Sequence, residues 1–323
     1  MSPSRHQIKK SLLTTFNGGI RWKKERFILR SQQALHAAIL LTNAELDRPI
    51  FVIGAPRSGT TLLYTVLRRS SNLAHWRPTE AHEVWEADYH PVLRGWDSNV
   101  LDASDVNPEA AARIKRSFLL VTGRNKRLID KTPRNVLRIP FIDAIFPNAR
   151  YIYLKRDGRD NVNSLINAWR SPRYRTYKLP ERHAIPGTDP KWWKFVLYPG
   201  WQEDRNGPLE MVAAKQWLTS NEHVLNAQRT IDPARWTDVR YEDLVESPVE
   251  EVGRLLAFAD VPYEDEIRQR AAAMSTTPIN TVTPPERGKW RRENPDEIAA
   301  IVDLIAPMME KMGYRLDEAN ETA

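Results

Sequence analysis

Phe51 to Thr61 reads as an apolar strand running into a small-residue loop, Gly54-Ala55-Pro56-Arg57-Ser58-Gly59-Thr60-Thr61, with the helix-like Leu62 to Leu67 behind it. A strand, a tight loop and a helix start bring several backbone N–H groups and the positive end of a helix to one point, which suits an anion such as a phosphate. The glycine spacing fits the nucleotide-binding pattern G-x-x-x-x-G-K-[ST] at every position but one. Thr60 stands where that pattern has its lysine, and the cation, Arg57, has moved inside the loop.

The rest of the chain alternates strand and helix patterns. Ile50–Ile53 precedes a helix over about 59–70, and a helical stretch at 108–122 precedes a strand at Arg127–Ile129. Pro133 opens a helix ending near Phe146. The β-former run Tyr151–Leu154 reads as a central buried strand leading into a helix over 157–169. Helices follow at about 208–229, 247–259 and 263–273, with a strand near Trp236–Arg240. A last helix, 295–312, stops at Gly313. This order predicts an α/β fold: a P-loop-containing, doubly wound parallel sheet flanked by helices, with ligands at the carboxyl ends of the strands. The reading divides the chain into an N-terminal helical segment, 1–48, and one domain, 49–323, with an irregular insertion at about 171–207.

Bulk properties narrow the function. The chain has 323 residues, a net charge of +7 and no cysteine, so disulfides, thiolate metal sites and a cysteine nucleophile are excluded. With no apolar run near the length of a bilayer span, the expectation is a cytoplasmic protein, or one peripheral to a membrane through the basic amphipathic segment 5–48. The basic residues are dispersed and no zinc-finger or RNP-like pattern occurs, which argues against nucleic acid as partner. Eleven tryptophans are many for this length. Trp192, Trp193 and Trp201 read as core aromatics first, and as a wall facing a sugar or lipid second.

A second basic cluster, Lys155-Arg156-Asp157-Gly158-Arg159-Asp160-Asn161-Val162-Asn163-Ser164, sits where strand Tyr151–Leu154 meets its helix. In a parallel sheet that is the same edge as the first loop. Two anion-binding junctions therefore face one ligand with anionic groups at two separated points.

Together the two motifs resemble those of sulfotransferases that use 3′-phosphoadenosine 5′-phosphosulfate (PAPS), and the pattern is most similar to the bacterial and tyrosylprotein-sulfotransferase-like branch. Asp130-Lys131-Thr132-Pro133, Phe146 to Tyr151, Arg240 to Leu244, and Gly288-Lys289-Trp290 through Met312-Gly313-Tyr314 have counterparts in family order, so the resemblance spans about 50–315. It implies in-line transfer of a sulfonate from PAPS to a hydroxyl, with no metal. Arg57, Ser58, Gly59, Thr60 and Thr61 would hold the phosphosulfate, Arg156 and Ser164 the 3′-phosphate, and Tyr241 would lie against the adenosine. Arg287 and Lys289 fall in the segment that closes over the nucleotide, where Arg291 is a third candidate. Lys131 matches a lysine that stabilises the leaving oxygen. The family's general base is a glutamate after the first helix. Here Glu80 is the first choice, Glu83 the second and His82 the third, while Glu86 reads as an ordinary exposed helix residue. A P-loop kinase using ATP and magnesium is the alternative, and Thr60 speaks against it. The tyrosine-sulfating relatives work in a secretory compartment behind an anchor. A chain with neither anchor nor cysteine points instead to a carbohydrate, lipid or small-molecule hydroxyl. The cations and tryptophans of the insertion region (Arg170, Arg173, Arg175, Trp192, Trp193, Trp201) suggest an anionic glycan or glycolipid as acceptor.

Overall fold

A computed structural model describes residues 45–77, 80–123, 125–274 and 287–316. The expected N-terminal helix lies outside these residues except for 45–48, which are not helical. Five strands form one parallel sheet, β1 (Ile50–Ile53), β2 (Leu73–Ala74), β3 (Arg127–Asp130), β4 (Arg150–Lys155) and β7 (Trp236–Arg240), in the order β2-β3-β1-β4-β7. Two short strands, β5 (Tyr177–Lys178) and β6 (Trp192–Trp193), pair antiparallel inside the 171–207 stretch.

The central strands are apolar on both sides because both faces are covered by helices. In β1, Phe51 and Ile53 join Tyr151 and Tyr153 in one core, under α3 (Pro108–Thr122), α5 (Gly158–Arg170), α6 (Leu209–Gln228) and α11 (Pro295–Lys311). Ile50 and Val52 point the other way. They pack with Ile129, Ile152, Leu154 and Val239 beneath α1 (Thr60–Leu67), α8 (Pro248–Phe258) and α9 (Asp265–Ala272). This is the doubly wound architecture that the alternating pattern predicts.

Most expected elements fall within a residue or two of their place. Pro133–Phe146 is the exception in form: it divides into a 3₁₀ turn, Pro133–Leu137, and α4, Ile139–Ile145, each with a proline in its first turn. Three short helices carry too little periodicity to be seen in the sequence: α2 (His82–Glu86), α7 (Tyr241–Glu246) and α10 (Trp290–Glu293). Gly313, at φ 82°, ends α11 as expected: its N–H donates to the Glu310 carbonyl and that of Tyr314 to Met309, a Schellman arrangement. Among the described residues no helix is long and apolar enough to cross a membrane.

In the 171–207 stretch the tryptophans are core aromatics, the first of the two readings, and not a wall facing a ligand. Trp193 is fully buried and Trp201 nearly so, each with its indole N–H satisfied internally: Trp193 donates to the Val196 carbonyl at 2.9 Å and Trp201 to Trp96 and Asp97. Rings of this size bury first where a core can receive them, and Trp169 and Trp201 take Trp193 at centroid distances of 5.2 and 4.7 Å. Arg170 is also structural, bridging α5 to Asn294 and Glu297 at 2.6 Å each.

Gly59 sits at φ 110° with the Tyr241 ring 2.5 Å from where a Cβ would stand. Gly59→Ala should therefore lower unfolding free energy by about 1–3 kcal/mol through strain and clash. Urea denaturation checks this; an unchanged midpoint would show that the loop relaxes freely.

Candidate functional site

The parallel pairing of β1 with β4, Ile53 opposite Tyr153, sets the two strand–helix junctions side by side. The second motif holds the first by its carbonyls. Asn161 of α5 donates to the Pro56 carbonyl at 2.8 Å, and Arg156 donates to the Arg57 carbonyl at 3.1 Å. Arg57 takes a left-handed φ of 71°, and its Nε donates to Ser164 Oγ at 3.4 Å. The Ser58 N–H closes the loop onto the Ala55 carbonyl at 3.0 Å. The first N–H groups of a helix have no acceptor within it, so Thr60 and Thr61 bring theirs to the loop at the start of α1.

The cations here are crowded. The Arg156 guanidinium lies 4.4 Å from the centre of the Tyr241 ring, and that ring packs on Gly59. Arg57 lies 4.9 Å over the Tyr174 ring. Burial pulls the Arg57 pKa below its ordinary value, with Tyr174 opposing the shift and Arg156 and Arg173 adding to it; an arginine stays charged through such a shift. Among the described residues ten buried side-chain polar atoms have no hydrogen-bond partner, and four of them lie in the two motifs: Ser58 Oγ in the first, and Arg156 Nε, Asp160 Oδ1 and Asn161 Oδ1 in the second. Orphaned buried groups are few in folded proteins and call for an explanation.

A second group lies along the same loop. Lys131, at the end of β3, is almost fully buried. Its ammonium donates to Thr61 Oγ1 at 2.9 Å and is ion-paired with Glu80 Oε1. The other carboxylate oxygen, Glu80 Oε2, is 2.7 Å from His82 Nε2. Burial opposes ionisation of Glu80, but Lys131 and His82 outweigh it and hold the carboxyl below the usual carboxylate range. Glu83 is turned to other work, accepting from the Trp76 indole at 2.8 Å. The segment is anchored by Ala81, whose N–H donates to Thr132 Oγ1 at 3.2 Å. Asp130, beside Lys131, is no surface residue: it accepts from Trp85, Asn135 and Thr132, and burial pushes its pKa up to about 7.

Of the C-terminal candidates, Arg287 is exposed, while Lys289 is buried and 3.3 Å from Glu293. That segment is fastened to α5, with the Gly288 N–H on Asp160 at 2.8 Å and Glu293 accepting from Asn163 and Asn167. It thus meets the helix that carries Ser164.

One residue read as ordinary is central. Glu86 is 2% exposed, paired with Arg134 at 2.5 Å and Arg138 at 3.3 Å, and accepts from Tyr177 OH at 3.1 Å. Glu86 follows His82 by four positions, and Arg134 and Arg138 are four apart. That matched spacing on two elements is the signal the sequence carried. Burial raises the Glu86 pKa, but Arg134 and Arg138 win and hold it at about 2.

A family model described as "Sulfotransferase family" matches residues 49–185 and 191–265. Protein-tyrosine sulfotransferase A of Caenorhabditis elegans is 23% identical over 288 residues, covering 82% of this chain and 67% of that protein. The protein-tyrosine sulfotransferase of Drosophila melanogaster is 23% identical over 290 residues, and the chain spans about half of its length, 51%. Among solved structures, sulfotransferase STF9 from Mycobacterium avium superposes with a TM-score of 0.57 at 16% identity, covering 90% of this chain and 82% of that one, a likeness of fold.

Removing the Glu86 charge leaves two buried guanidinium groups without their counterion. Glu86→Ala should cost about 3–5 kcal/mol of stability at neutral pH. Because its folded pKa, about 2, lies below the ordinary 4.5, its contribution is full above pH 4.5 and is lost as pH falls toward 2. Denaturation midpoints across that window should fall in the wild type and flatten in Glu86→Gln; parallel curves would refute the assignment.

Proposed function

The chain belongs to the sulfotransferase family, and from that premise we propose that it transfers a sulfonate from PAPS to a hydroxyl acceptor, with Glu80 as general base. The observation that carries the donor assignment is that two of the orphaned buried atoms, Ser58 Oγ and Arg156 Nε, are donors, one in each of two adjacent strand–helix loops. A phosphate at each motif supplies the acceptors they lack. In this reading Ser58, Gly59, Thr60, Thr61 and Arg57 hold the phosphosulfate, and Arg156 and Ser164 hold the 3′-phosphate. Tyr241, already packed on Gly59 and Arg156, borders the nucleoside. Lys289 and Arg287 approach from the segment fastened to α5.

PAPS supplies an activated sulfonate whose leaving group is adenosine 3′,5′-bisphosphate. The protein's part is positioning and charge. Glu80 accepts the proton as the acceptor oxygen bonds to sulfur. Lys131 stabilises the bridging oxygen that leaves with the electron pair of the broken S–O bond. Its ammonium has three N–H groups, of which Thr61 and Glu80 take two, so one remains for that oxygen. The carboxylate of Glu80 keeps lone pairs beyond those facing Lys131 and His82, so it can also receive a hydroxyl proton. On the acceptor side Tyr174 borders Arg57, while Arg173 and Arg175 are exposed nearby. Those cations favour an acceptor with anionic substituents, an acidic glycan or glycolipid among them.

Calorimetry is expected to show adenosine 3′,5′-bisphosphate binding in preference to ATP with magnesium; the reverse order would favour a kinase. Arg156→Ala should weaken that binding by roughly tenfold or more, the worth of a charged hydrogen bond. Glu80→Gln should lower turnover by about 10²–10⁴-fold and leave bisphosphate affinity nearly unchanged. Full turnover in Glu80→Gln would remove it from the base role.

A further inference from the structure

We infer that His82 is a positioning residue for Glu80: a neutral imidazole locked by Arg134 into the tautomer that donates its Nε2–H to the Glu80 carboxylate. The inference rests on the reading of Glu80 as base and adds to it the device that aims the carboxylate.

The argument starts from what each group can do. Arg134 Nη2 lies 2.6 Å from His82 Nδ1. A guanidinium has only donors, so Nδ1 must accept and carries no proton. The imidazole proton is then on Nε2, 2.7 Å from Glu80 Oε2. Arg134 is itself held by Glu86, which is buried and also tied to Arg138 and Tyr177. A chain of directed contacts thus runs from a buried carboxylate, through a guanidinium and an imidazole, to the carboxylate at the site. Each member is fixed by the next, which is how a side chain's orientation is set to the accuracy catalysis needs.

The lock also removes His82 from the list of bases. One ring nitrogen is taken by Arg134 and the other already bears a proton. Protonating Nδ1 would set two cations against each other, and burial followed by Arg134 lowers the His82 pKa, opposed by Glu80 and Glu86. With Arg134 at Nδ1, the ring charges less readily than an ordinary histidine would. The groups facing Glu80 are Lys131 from β3, His82 from α2, Tyr64 from α1 and, further off, Asp130 and Arg134. Of these, His82 and Lys131 touch the carboxylate, and His82 is the one not assigned to the leaving oxygen.

The test compares wild type, His82→Ala, His82→Gln and Glu80→Gln. The rate is read as release of labelled sulfate from PAPS with water as the accepting hydroxyl, so no other acceptor is needed. Bisphosphate affinity reports an intact donor site. In His82→Ala the rate should fall about 10–100-fold, the scale for a misaimed catalytic group, with bisphosphate affinity kept. The acid limb of the pH–rate profile should move to higher pH, because Glu80 has lost a donor to its charged form. Glutamine carries an amide N–H near the place of Nε2, so His82→Gln should recover most of the rate and return the limb toward its wild-type position.

An unchanged rate and limb in His82→Ala, with Glu80→Gln inactive, would overturn the positioning role and leave the base assignment standing. A lower rate with an unmoved limb and no recovery in His82→Gln would make His82 merely structural, as would loss of bisphosphate binding in both histidine variants. Full activity in Glu80→Gln would overturn the base assignment, and the positioning role with it.

Discussion

The carbonyls of Pro56 and Arg57 belong to Asn161 and Arg156, and the site is organised around that fact. Loop carbonyls repel an anion as surely as N–H groups attract one. By tying two consecutive carbonyls into the second motif, the fold leaves the N–H-bearing side of the loop and the start of α1 to face a ligand. The second motif does this while bringing its own cation. The arrangement exists because β1 and β4 are neighbours in a parallel sheet, so that junctions about 100 residues apart in sequence are adjacent in space. Neither motif is complete by itself, and in this respect the proposed nucleotide site is a product of sheet order.

The same logic explains how so much positive charge is tolerated. Arg57, Arg156 and Lys131 converge on one loop, and each is partly satisfied before any ligand arrives: Arg57 by Tyr174 and Ser164, Arg156 by a ring and a carbonyl, Lys131 by Glu80 and a hydroxyl. Aromatic faces and neutral acceptors hold a cation in place without cancelling it. Lys131 has a full counterion in Glu80. A counterion suits it because Lys131 is the most deeply buried of the three, and an isolated ammonium there would be too costly to keep charged. In the proposed reaction that counterion is the base, so one ion pair both stabilises the resting site and keeps the carboxylate ionised.

The sheet, the helices on both its faces and the two neighbouring strand–helix junctions were legible from the chain alone, because apolar strands, glycine spacing and caps are local signals. Gly54 and Gly59, Arg156, and Gly313 at the end of α11 are of that kind. What was not legible depended on partners far away in sequence. Glu86 reads as one more carboxylate on a short helix until Arg134 and Arg138 come to meet it from another element. Trp193 and Trp201 read as core first and as ligand wall second, and the depth of the 171–207 stretch decides for core. The contacts that single out Glu80, the proposed base, come from Lys131 at the end of β3 and from His82 in the next turn of chain. Glu83 has the same composition around it but spends its carboxylate on Trp76.

Thr60 can now be understood in physical terms. A nucleoside triphosphate site puts a lysine in the loop itself because the charge to be neutralised sits at the loop. Here the lysine arrives from the end of β3, the strand on the other side of β1, and reaches the loop at Thr61. That displaces the ammonium from the centre of the anion cradle toward its rim, next to Glu80. A cation at the rim serves a single oxygen between the held phosphate and the incoming hydroxyl better than it serves a chain of phosphates. Thr60 and Lys131 thus fit together: the cation that the loop lacks at position 60 stands at the end of the neighbouring strand, beside Glu80, the proposed base.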